Sequence, residues 1–89
     1  MIAIIDDFLD DMDEGVLYMP EFADCLVGSV WRCGSKEVLC YDAEQIVETL
    51  VKRDGLTHED ALEHFNFNVS GGYVGEYTPM FLRRLQHPP

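Results

Sequence analysis

The run "YDAEQIVETLVKRDGLTHEDALEHFNFNVSGG", from Tyr41 to Gly72, constrains the fold more than any other part of the chain. It spells two helices back to back, each with its own start and stop. Asp42 can accept hydrogen bonds from the first free amides of a helix, and Gln45 stands three residues on, the spacing of a capping box. Ala43, Ile46, Val47, Leu50 and Val51 then recur at helical spacing, with Glu44 and Glu48 turned outward. Lys52 and Arg53 fall in the last turn, where the helix dipole favours cations, and Gly55 ends the helix. Thr57 caps the second helix with Asp60 at the box position. Ala61, Leu62, Phe65 and Val69 form its apolar stripe, and Gly71-Gly72 stop it. Phe67 is out of step with that stripe. The short link "DGL" folds the two helices into a hairpin whose apolar faces need a further layer to cover them.

The upstream chain supplies that layer. "CLVGSVW" is apolar and β-branched enough for a strand over 25–32, with Gly28 marking a bulge or a close backbone approach. "VLCY", 38–41, is a second strand, and the turn around Gly34 makes the pair an antiparallel hairpin. After a turn at Gly75 and a break at Thr78-Pro79, "MFLRRL" is a short strand or extended segment that can join the sheet, and "QHPP" is a frayed end. Near the N-terminus, Ile2, Ile5, Leu9 and Met12 give a stripe for a helix over 2–13. The predicted fold is therefore α+β and a single domain: a short antiparallel sheet of two to three strands packed against a helical hairpin, with an N-terminal acidic helix. Its parts are the acidic helix or arm at 1–24, an α+β core at 25–82 and a tail at 83–89.

Charge narrows the function. The net charge is −11 on 89 residues, and residues 1–24 hold eight acids with no Lys or Arg. Binding nucleic acid or an anionic membrane directly requires neutralising cations, so both are excluded. The stretch Asp6 to Glu14 alone packs six carboxylates into nine positions, and "MIAII" is too short and wrongly flanked for a signal peptide. Cys25, Cys33 and Cys40 form no C-x-x-C pair and read as reduced thiols in a cytoplasmic setting.

Chemistry finds no foothold. A calcium loop starting at Asp10 would place Gly15 and Glu21 correctly, but it would put Met12 at a ligand position and Pro20 at the eleventh. "GGYVG" follows a helix instead of opening one, so it is a stop and a turn, not a phosphate loop. His58 and His64 are six apart, off the spacing that puts two metal ligands on one helix face. Glu59 and Glu63 share a helix face, where paired carboxylates are ordinary solvated charge. The reading is no enzyme, no cofactor and no metal.

The segment from Tyr41 to Phe81 resembles a group of small proteins of phage and prophage genomes without an established activity. The resemblance is carried by Tyr41-Asp42, "RDGLT" at Arg53 to Thr57, "EDALEHFNFN" at Glu59 to Asn68, and "GGYVGEYTP" at Gly71 to Pro79. It implies a phage setting and hence the cytoplasm of a host cell. The acidic opening lies outside the shared pattern, so a function peculiar to this chain is expected there. The expected role is a binding protein that occupies a basic surface of a host protein, a CRISPR effector above all, by imitating the charge of nucleic acid. Its expected contact residues are Asp6, Asp7, Asp10, Asp11, Asp13 and Glu14, with Phe67, Tyr73 and Tyr77 as apolar anchors. The alternative is a structural or accessory phage protein, dimeric through its sheet edge or apolar tail.

Overall fold

A computed structural model gives the fold and describes Met12, residues 14–72 and residues 75–85. In chain order the described elements are a 3-10 helix Pro20–Cys25, β1 Leu26–Val30, β2 Val38–Asp42, α1 Ala43–Asp54, α2 His58–His64, a π-helical turn Phe65–Val69, and β3 Met80–Leu82. The architecture is α+β. The expected helix over 2–13 lies outside the described residues except for Met12, which packs against the core.

The caps act as the sequence requires. Asp42 Oδ1 accepts from the amides of Glu44 at 3.0 Å and Gln45 at 3.2 Å, and Gly55 closes α1 in the left-handed region at φ 69°. Thr57 Oγ1 accepts from the Asp60 amide at 3.1 Å. The second helix does not stay regular to the glycines. After His64 it loosens into the π turn, where the Ser70 amide donates to the Phe65 carbonyl at 2.7 Å across five residues. Gly71 allows this closure. A β-carbon there would lie 2.9 Å from the Asn66 carbonyl oxygen and 3.2 Å from that of Phe67.

The strand order is β1-β2-β3. β1 and β2 form the expected antiparallel hairpin, from Val30 opposite Val38 to Leu26 opposite Tyr41, with a bulge between Leu26 and Gly28. The wholly antiparallel sheet expected from sequence is corrected at β3, which pairs parallel to β2 with Cys40 opposite Met80 and Asp42 opposite Leu82. The cause is the connection. A hairpin turn can only reverse the chain, whereas two helices followed by the segment 70–79 are long enough to return it to the starting end of β2.

Every residue of β2 is buried, which accounts for the unbroken apolar run "VLCY" in the central strand. Leu39 and Tyr41 face Ile46, Val47 and Leu50 of α1, Ala61 of α2, and Phe65, with Phe22 and Cys25 closing one side. Phe81 of β3 meets Phe65 edge to face, with ring centroids 5.2 Å apart. Val38 and Cys40, alternating with these, are buried on the opposite face of the sheet.

Three polar ties fasten the chain's outer parts to this core. The Met19 amide donates to the Tyr41 hydroxyl at 2.8 Å, and burial pushes that phenol's pKa up to about 12. Arg53 donates to the Glu21 carbonyl at 3.0 Å while its guanidinium lies 5.3 Å from the Phe22 ring centroid, holding the 3-10 helix against the end of α1. Arg84 spans the buried Asp42, at 2.8 Å, and Glu44, at 3.4 Å, and so binds the chain beyond β3 to the start of α1.

Candidate interaction surface

The described residues hold twelve carboxylates and all six Lys and Arg of the chain. Arg53 is paired with Asp54, and Arg84 with Asp42 and Glu44. The other nine carboxylates (Glu14, Glu21, Asp24, Glu37, Glu48, Glu59, Asp60, Glu63 and Glu76) are all exposed and make no ion pair among the described residues. Their charge is therefore directed at solvent. Among the described residues, Glu37 alone of the nine is hydrogen-bonded by a side chain, the Ser29 hydroxyl, across the β-hairpin.

The second helix concentrates this charge around an apolar side chain. Glu59, Glu63 and Phe67 follow one another at intervals of four on its outer side, with Asp60 adjoining. Phe67 is 74% exposed. Its neighbours Asn66 and Asn68 are exposed amides, and Asn68 Nδ2 lies 3.3 Å from His64 Nδ1. A large ring is thus held in water on a π turn, with carboxylates on the preceding turns, so exposed apolar and anionic surface adjoin.

The other expected contact residues are placed as follows. Asp6, Asp7, Asp10, Asp11, Asp13 and Tyr73 lie outside the described residues. Glu14 is exposed. Tyr77 is half-buried: a β-carbon on Gly15 would lie 2.8 Å from its ring, and Lys36 Nζ stands 5.9 Å from its centroid. Phe67 and Tyr77 thus sit in different surroundings, one in solvent and one inside a local packing contact.

Sequence reasoning passed over Leu62. Its spacing assigns it to the buried stripe, yet it is 44% exposed, at the lip of a groove of about 400 Å³ between α1 and α2. Ala43, Val47 and Phe65 give the groove its apolar floor, and Glu44 and Glu48 form the α1 wall. His58 lies toward the turn that joins the helices, and Arg83 stands at the Ala43 end, one residue past the Leu82–Asp42 register pair. A stripe one residue wider than the neighbouring helix can cover was the available signal.

Two of the three thiols are sequestered. Cys25 and Cys40 are buried, which raises both thiol pKa values, while Cys33 is exposed in the β1–β2 turn. Among the described residues no cluster of His, Cys, Asp or Glu is arranged to hold a metal ion, and no helix is long and apolar enough to cross a membrane. No protein-family model matches the chain, and neither a curated protein nor a solved structure matches it.

Proposed function

We propose that this chain is a phage-encoded binding protein that blocks a nucleic-acid-binding machine of the host by occupying its basic surface. The observation that carries the reading is the set of nine exposed carboxylates without ion-pair partners among the described residues, on a chain whose net charge is −11. Carboxylates directed at solvent speed encounter with a cationic surface and orient it, and the exposed Phe67 supplies the apolar contact that charge alone lacks. The target class that fits is a CRISPR effector in the host cytoplasm, whose guide and DNA channels are lined with Lys and Arg. Asp6, Asp7, Asp10, Asp11 and Asp13 add five further acids to the sequence. On this reading the chain has no reaction of its own, and its affinity comes from surface alone.

The test is competition. A purified effector complex is mixed with labelled target DNA and increasing amounts of this protein, at low and at raised salt. The expected result is loss of DNA binding that weakens steeply with salt and weakens again when Asp6, Asp7, Asp10 and Asp11 are replaced together by Asn. Inhibition indifferent to both changes sinks the charge mechanism, and DNA binding left intact by the unaltered protein sinks the effector as target.

A second reading, a dimeric accessory phage protein, rests on a different observation. The outer edge of β1 is unpaired among the described elements, and Val27 and Trp31 beside it are 56% and 68% exposed. A concentration-independent monomer in sedimentation removes it.

A further inference from the structure

We infer that the groove between α1 and α2 seats a basic amphipathic helix of the partner, its apolar side chains on Val47, Leu62 and Phe65 and its cations toward Glu48. This names the partner's chemistry for the binding role proposed above and rests on that role. Three features of the groove specify the occupant.

The floor comes first. Val47 and Phe65 are nearly fully buried at 6% and 7% exposure, yet both still line the groove, so an entering side chain meets close-packed apolar atoms. Leu62 rises beside them with 44% of its surface open to water, an unfavourable exposure that a covering apolar side chain relieves. A furrow between two neighbouring helices is also the shape into which a third helix lays its own ridge of side chains.

The charge pattern gives the occupant a sign. Glu48 on the α1 wall is exposed and unpaired among the described residues, while Glu44 is partly neutralised by Arg84 at 3.4 Å. Glu59 and Glu63 are exposed on the outer stripe of α2, each one residue on from His58 and Leu62 of the groove lining. Glu48 is thus a wall carboxylate unpaired among the described residues, Glu59 and Glu63 add charge on the next stripe, and a helix with Lys or Arg beside its apolar stripe complements them.

Arg83 gives the occupant a direction. It lies at the Ala43 end and makes no ion pair among the described residues, so a cation there is repelled. The bound helix therefore places its cations toward Glu48 and an uncharged or acidic turn against Arg83.

The test uses synthetic peptides and the full chain labelled with nitrogen-15. One peptide sets leucines at helical spacing with lysines on their flanks, a second has the same composition in scrambled order, and a third is lysine-only. The amphipathic peptide is expected to move the amide signals of Val47, Leu62, Phe65 and Asn66 and to bind about tenfold more tightly than either control, a difference of roughly 1.4 kcal/mol. Leu62→Glu and Glu48→Lys should each weaken it by about tenfold, and Arg83→Glu should leave it unchanged or strengthen it. Both Glu48 and Arg83 are exposed, so their variants test the inference even where Leu62→Glu perturbs the fold. Equal binding of all three peptides, or signal changes confined to other surfaces, overturns the groove. The DNA-competition assay is read separately. Inhibition that persists in Leu62→Glu removes the groove while leaving the acidic-decoy reading in place, and absent inhibition alongside specific peptide binding does the reverse.

Discussion

Among the described residues, Asp42 joins three parts of the fold. It ends the central strand, caps α1 through two amides and receives Arg84, all from a nearly buried position. Replacing it by Ala removes the cap and leaves Arg84 without its closest partner, and should lower unfolding free energy by about 2–3 kcal/mol in urea titration. Asn, which retains an acceptor for the amides, should cost about half as much. Tyr41 makes a prediction in pH. Its phenol pKa is raised from 10.0 to about 12 by burial, so the folded state favours the protonated form. The associated stability is intact below pH 10 and is lost as pH rises from 10 toward 12. The full gap corresponds to roughly 2–3 kcal/mol, and Tyr41→Phe should remove that alkaline slope from a series of denaturation curves. Thiol chemistry offers a third check at this scale. In the folded protein iodoacetamide should label Cys33 rapidly and leave Cys25 and Cys40 unmodified until denaturant is added, as read by intact mass.

Among the elements, the helical hairpin was the most legible in sequence, because caps and stops are local chemistry: Asp42, Thr57 and Gly55 stand where their residue types required. The β1–β2 hairpin was legible for the same reason. Two features were not. The parallel course of β3 depends on the end of the sheet at which the chain re-enters after two helices, and no local pattern encodes that. The π turn at Phe65–Val69 depends on the approach of Gly71 to the Asn66 and Phe67 carbonyls, a contact made only once the helix has ended. The candidate surface divides similarly. Phe67 stood out by breaking the stripe, whereas Leu62 kept the stripe and was hidden by it. Two substitutions separate structure from recognition in this element. Gly71→Ala places a methyl group against backbone oxygens and should cost about 1–2 kcal/mol of stability. Phe67→Ala removes an exposed ring, should change stability by less than about 0.5 kcal/mol, and should weaken the proposed effector inhibition at least tenfold.

At the scale of the whole molecule, charge serves the proposed binding and burdens the fold. With 17 acids against six Lys and Arg, the chain repels itself on folding, and only two of those cations are spent in ion pairs among the described residues. Added sodium chloride should therefore raise the melting temperature by several degrees while weakening the proposed binding, since screening relieves the one and erodes the other. The position of β3 bears on synthesis. Met80 pairs with Cys40, a residue forty places earlier, across the whole helical hairpin. Until Met80–Leu82 docks, one side of the middle strand stays open, so the sheet is completed after both helices have been made. A chain that lacks Met80–Leu82 keeps a bare strand edge, the kind of product that aggregates or is cleared by proteases.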